Sequence, residues 1–157
     1  MAMVADITPD NDILIIHEHR EQEESPNVVE SLIRLRDQFN LPIMWIEKAG
    51  IGVPTIQFTI KAGVPVREID TKMGKKDRAQ AAEVLMGNGK IWFLKGASWL
   101  PVLEREIETF PMSEWMDQVD VVSHLAILIR NSNPNASMAV GVISFSGSTG
   151  VGVNSFR

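Results

Sequence analysis

Three carboxylates and one imidazole form the clearest chemical pattern in this chain of 157 residues. In the run Trp115-Met116-Asp117-Gln118-Val119-Asp120-Val121-Val122-Ser123-His124, the spacing predicts a helix on which Asp117, Asp120 and His124 share one face, at i, i+3 and i+7. Val119, Val122, Ala126 and Ile129 fall on a neighbouring stripe suited to a core. Such a helix can aim carboxylate oxygens at a hard cation such as Mg2+, which takes few protein carboxylates and fills its octahedral shell with water or phosphate oxygen. The same two aspartates equally suit the opening turns of any helix, where the macrodipole favours negative charge. Glu47 ends the apolar stretch Met44-Trp45-Ile46. Burying a carboxylate unpaired is costly, so it is either solvated at a strand terminus or partnered. A strand-end glutamate and a helix-borne aspartate pair, about 70 residues apart, can converge on one site.

The stretch Lys72-Met73-Gly74-Lys75-Lys76-Asp77-Arg78 holds most of the local positive charge, with Lys48, Lys61 and Arg67 to reinforce it. At the opening of a helix, its amides and side chains suit phosphates; as an exposed helix face, it needs only solvent. His17 and His19 alternate along a strand and share a face, but two histidines alone make a poor zinc site. His124 suits local packing or hydrogen bonding better than catalysis, and Trp92, Phe93, Trp99 and Trp115 suit a core better than base stacking. No GxxxxGK[ST] phosphate loop and no GxSxG nucleophile elbow occur. The absence of cysteine removes disulfides, thiolate metal sites and a thiol nucleophile together.

The elements that must position these residues follow from pattern. Apolar residues make up 45% and charged residues 22%, with mean hydropathy near zero, which fits one domain with a real core. A net charge of −5 excludes a uniformly basic nucleic-acid glove. The opening residues lack a signal peptide's basic start and apolar stretch, and no apolar run reaches the roughly 20 residues of a membrane helix, so a cytoplasmic protein is expected.

Apolar runs at 2–5 and 13–17, separated by Thr8-Pro9-Asp10-Asn11-Asp12, predict a hairpin at the sheet's edge, with Glu18 onward as a polar extension. Ser25-Pro26 opens a helix whose apolar face is Val28, Val29, Leu32, Ile33, Leu35 and Phe39. A strand at 41–46, a helix at 54–62 stopped by Gly63, and a strand at 64–69 follow. Then come a helix at 75–86, a strand at 90–94, and helices at 98–109 and about 113–130. The Gly/Ser/Asn-rich residues 131–157 read either as a tail or as one more strand at 138–145. Alternating strands and helices argue for an α/β layer fold, whose ligand sites gather at strand carboxyl ends, where Glu47 stands.

Several of these pieces occur in a telling order. The strand ending Trp45-Ile46-Glu47, with Ala49-Gly50 behind it, is followed by Lys75-x-x-Arg78-Ala79 opening a helix. Next come the strand Gly89-Lys90-Ile91-Trp92-Phe93, then Ala97-Ser98-Trp99-Leu100, then Glu104 to Pro111, and finally Met116-Asp117-Gln118-Val119-Asp120. From Ile43 to about Leu128 the chain resembles the carboxy-terminal nuclease domain of tailed-phage large terminase subunits.

The resemblance implies an RNase H-like mixed sheet flanked by helices over residues 1–130, and an endonuclease that cuts concatemeric double-stranded viral DNA during genome packaging. It implies two Mg2+ or Mn2+ ions about 3.5–4 Å apart. Glu47 becomes the middle acidic residue and Asp117 the late one, with Asp120 as an auxiliary or orienting ligand; all three are then metal-binding catalytic residues. Lys75 and Arg78 would face DNA phosphate or brace the fold. Double-stranded DNA, the terminase small subunit and the portal protein are the implied partners, in a host cytoplasm, for a phage or prophage gene.

Two departures stand out. Met116 holds the first position of a motif that often carries two aspartates. The family's first aspartate lies on a strand upstream of a hairpin like 2–17, so this chain is expected to begin after it and without the packaging ATPase; Asp6, which ends a short run next to a turn, suits that role poorly. A fragment, a separately encoded piece or a prophage remnant is therefore expected. A non-catalytic RNase H-like scaffold that docks DNA or packaging partners, and an unrelated RNase H-like nuclease such as a junction resolvase, stay open beside it.

Overall fold

The hairpin forms where the turn residues predict it: β1 (Ala2–Ile7) and β2 (Ile13–His19) pair antiparallel. The loop is closed by Thr8, whose amide donates to the Asp12 carbonyl and whose hydroxyl accepts from the Asp12 amide, both at 3.0 Å. Asn11 takes the left-handed conformation (φ 61°), which a short polar side chain tolerates. His17 stands opposite Val4 but Ile15 opposite Ala5, so Ile16 is an extra residue, a bulge. That single insertion reverses the facing of everything after it. Ile13 and Ile15 pack in one core with Ala5 and Ile7, whereas His17 faces the opposite core and stacks on Phe39 at 5.0 Å. Glu18, opposite Met3, is thereby delivered to the first face.

This computed structural model describes residues 1–20, 25–48, 52–70, 72–112, 116–130 and 138–144. The side chains of Ser25 and Pro26, the pair Ala49-Gly50, Trp115 and the residues after 144 lie outside them.

The architecture is α/β, a six-stranded mixed sheet flanked by five helices, compatible with the RNase H-like arrangement expected. Strand order is β4-β3-β6-β1-β2-β5, with β3 at Met44–Glu47, β4 at Val66–Ile69, β5 at Ile91–Phe93 and β6 at Met138–Ile143. β1 runs antiparallel to both neighbours; every other pairing is parallel, so the carboxyl ends of five strands share one edge.

The hairpin is not at the edge as expected. β6 pairs along the whole of β1 and carries the sheet on to β3. Its apolar run is buried on both faces, which requires a central place. Gly141 allows it: a Cβ there would sit 3.0 Å from Leu41 Cδ1 and 3.2 Å from Met44 Cε. Of the two alternatives for this segment, 138–143 is strand.

Helices α1 (Ser25–Phe39) and α2 (Gly52–Lys61) cover one face, through Val28, Leu32, Leu35 and Ile56 against Val4, Met44, Ile46 and Ile143. Helices α3 (Lys75–Gly87), α4 (Leu100–Thr109) and α5 (Asp117–Arg130) cover the other, through Ala82, Leu103, Val122, Leu125 and Ile129 against Met3, Ile15, Ile91 and Val142. Asn40 (φ 49°) and Gly63 (φ 78°) end α1 and α2 in left-handed turns, with the Leu41 amide reaching back to the Arg36 carbonyl.

One aromatic departs from expectation. Phe93 and Trp99 pack against the α3–α5 core, but Trp92 is 57% exposed. β5 is a three-residue edge strand, and α1 and α2 lie over the other end of the sheet, leaving the outer face of Trp92 uncovered. Among the described residues no helix is long and apolar enough to cross a membrane.

Candidate active site

Strand alternation places Met44 and Ile46 in the α1–α2 core, and so turns Trp45 and Glu47 toward α5. Glu47 is the last residue of β3, opposite Ile69, and its side chain is only 9% exposed. Its Oε2 accepts a 2.5 Å hydrogen bond from the Ser144 hydroxyl. Ser144 directly follows β6 and donates its amide to the Met1 carbonyl. Glu47 Oε1 lies 3.6 Å from Nε2 of His124, which is fully buried on α5. Glu47 therefore meets this helix at His124, and not at Asp117 or Asp120, the aspartates with which it was expected to converge.

The aspartates lie further toward the helix start. Asp117, half-buried, opens α5 two turns before His124, about 10 Å along the axis. Asp120 is buried and held on both oxygens: Arg78 Nη2 donates to Oδ1 at 3.1 Å, and Lys75 Nζ lies 2.5 Å from Oδ2. Arg78, itself buried, also donates to the Met73 carbonyl at 2.6 Å. Of the two roles open to Arg78, it performs the bracing one, locking α3 to α5. Lys75 is half-exposed and shares that lock.

The rest of the basic stretch is partly neutralised, with Lys72 beside Asp70 at 3.3 Å and Lys48 on Glu68 at 2.8 Å. Arg67 stacks over Trp45 and Lys61 over Phe58. Among the described residues no group of three or more His, Asp or Glu side chains is placed to hold a metal ion. Asp6 is exposed, four residues along β1 from Ala2, roughly 13 Å from the edge where Glu47 stands.

Sequence reasoning missed Ser144, and gave His124 a packing role, which its burial fits, without finding that it faces Glu47. A signal for the first was the apolar run 138–143, whose end had to meet some sheet edge. For the second, the helical spacing already put His124 on the face of the two aspartates.

A second polar group stands at the start of α5. Glu106 of α4, buried, accepts the Val119 amide at 2.9 Å and so satisfies one of the helix's opening donors. Burial raises its pKa, while the amides of Val119 and Gln118 pull it down. Glu18 faces the same region, and its Oε2 is buried without a hydrogen bond among the described residues. Burial, with the charge of Glu106 adding, pushes the Glu18 carboxyl from 4.5 up to about 7 against the pull of Arg20.

The linkage has a definite sign. Between pH 4.5 and 7 the folded state binds more protons at Glu18 than the unfolded state does. Its contribution is therefore fully present below pH 4.5 and lost as pH rises through 7; Glu106 acts in the same direction. Urea midpoints measured across this range are expected to favour Glu18→Gln over wild type increasingly as pH rises. Parallel curves would contradict it.

No protein-family model, curated protein or solved structure matches the chain.

Proposed function

We propose that the chain is a nuclease module of the terminase type, hydrolysing phosphodiester bonds of double-stranded DNA in the host cytoplasm during genome packaging, alongside the small subunit and portal protein. One observation carries the reading beyond the sequence resemblance. A buried glutamate at the carboxyl edge of an α/β sheet meets the helix that bears Asp117 and Asp120. In open sheets that edge is where ligands bind.

Divalent cations, Mg2+ or Mn2+, would supply an activated water and neutralise charge on the phosphate. Glu47 and Asp117 suit a hard cation by donor chemistry. Asp120, with a cation already on each oxygen, does not fit as a ligand in this arrangement. The chain's own contribution is a strand-end carboxylate fixed by Ser144 and a helix held in place over it by Arg78.

The neutralised Asp120 favours a second reading, a non-catalytic scaffold that docks DNA or packaging partners. Nicking of supercoiled plasmid in millimolar Mn2+ separates the two. The nuclease reading expects wild-type nicking that falls about 100-fold or more in Glu47→Ala and Asp117→Ala, with far-UV dichroism unchanged. No nicking by the wild-type protein supports the scaffold.

A further inference from the structure

We propose that the protein pairs with a second copy of itself through β5, the two strands running antiparallel about a two-fold axis at Trp92. This goes beyond the nuclease reading and stands without it.

The open edge of the sheet is the first argument. β5 is the last strand in the order, and among the described residues β2 is its one neighbour. The Ile13 amide donates to the Lys90 carbonyl at 2.8 Å, and the Leu94 amide donates to the Ile15 carbonyl at 3.0 Å. Backbone groups alternate in direction along a strand, so Lys90, Trp92 and Leu94 bond toward β2 while Ile91 and Phe93 turn their amides and carbonyls outward. Among the described residues no backbone group pairs with those outward ones. An antiparallel strand of the same sequence completes them, because Ile91 of each copy then stands opposite Phe93 of the other and the two exchange both N–H···O bonds.

The side chains are the second argument. Ile91 and Phe93 pack toward the α3–α5 core, so by alternation Trp92 and Leu94 point to the opposite face. Both are open to solvent there, at 57% and 46% exposure, with Leu14 of β2 in register beside Trp92. The two-fold axis sets Trp92 against Trp92 of the second copy at a position where the Cα atoms lie about 4.5 Å apart, the closer kind of antiparallel pair. Leu94 falls beside the aliphatic stem of Lys90, and the two indole rings leave water together.

Charge selects a second copy over another apolar partner. The β1–β2 turn, next to the start of β5, carries Asp10 and Asp12 against the single cation Lys90, whose Nζ lies 2.7 Å from Asp12. Lys95, just past the end of β5, is exposed and has no ion-pair partner among the described residues. In the antiparallel register Lys95 of each copy falls opposite Gly89 of the other, with no side chain between it and that acidic turn. A parallel pairing in register sets Lys90 beside Lys90 and Lys95 beside Lys95, which like-charge repulsion disfavours. Each copy gives and receives the same contacts, so the assembly closes at two. With a three-residue strand at its centre the interface falls at the small end of specific contacts, under about 1,200 Å2, and a Kd of about 10–100 µM is expected.

The test is sedimentation equilibrium of the purified full chain, with amide hydrogen exchange read below and above that Kd. A reversible monomer–dimer equilibrium is expected, in which the Ile91 and Phe93 amides gain protection only at the higher concentration. Trp92→Lys, made at an exposed position and expected to leave far-UV dichroism unchanged, weakens the dimer about tenfold or more. Lys95→Glu weakens it as well, and the double variant Lys95→Glu/Asp10→Lys recovers the loss. A chain that stays monomeric at about 500 µM, well above the expected Kd, overturns the proposal. So does a dimer indifferent to Trp92→Lys, or one whose Ile91 and Phe93 amides exchange as they do in the monomer, because another surface then joins the copies. None of these readouts involves DNA, so the nuclease reading stands or falls separately.

Discussion

Asp120→Ala is expected to destabilise the protein by about 3–5 kcal/mol, the usual penalty for removing one partner of a buried ion pair. The reason lies in what remains. Arg78 has a side chain only 6% exposed, and without Asp120 its guanidinium keeps one acceptor among the described residues, the Met73 carbonyl. Lys75 can turn to solvent, since it is half-exposed; Arg78 cannot without unpacking α3 from α5. For a chain of this size, about 2–4 °C in Tm accompanies each kcal/mol, so a fall of roughly 6–20 °C is expected.

The double variant Arg78→Met/Asp120→Leu is expected to recover most of the loss, because it removes the desolvated charges together. Thermal or urea unfolding of both singles and the double completes the cycle. A single variant within 0.5 kcal/mol of wild type would show that the pair behaves as a solvated surface contact.

The second large effect is in the core beneath the same helix. Leu125→Ala is expected to cost about 2–5 kcal/mol, from lost transfer energy and the cavity left behind. Leu125 is fully buried, one residue beyond His124, in the cluster that joins α5 to Met3, Ile15 and Val142 of the sheet. The two predictions distinguish two attachments of α5, one apolar to the sheet and one ionic to α3. A urea midpoint unchanged in Leu125→Ala would mean that α5 is not anchored through that face.

Much of the fold could be read from local pattern. Proline and glycine punctuation located the helices, and Gly63 ends α2 because a left-handed turn follows it. The i, i+3, i+7 spacing of Asp117, Asp120 and His124 did mark a helix face. Glu47 was legible as a strand end because a carboxylate closes an apolar run.

What could not be read depends on partners distant in sequence. Strand order is set by pairing across the whole chain, so nothing in 138–143 announced that this run separates β1 from β3. The bulge at Ile16 has no local signature, yet it decides that Glu18 joins Glu106 while His17 joins Phe39. A Lys/Arg-rich helix start looks the same from sequence whether it faces phosphate, solvent or a buried aspartate, and Arg78 faces the last. Trp92 looked like core because aromatic residues usually are; a short edge strand with no helix above it left the ring exposed.

The most direct measurement is anomalous diffraction from crystals soaked in millimolar Mn2+. The expected result is a manganese peak at bonding distance, about 2.2 Å, from a Glu47 carboxylate oxygen, beneath α5. The opposite result is a map with no manganese at residue 47, or with manganese only on exposed acids such as Asp77 far from that carboxylate. It would leave the sheet edge without metal chemistry and the nuclease assignment without its site.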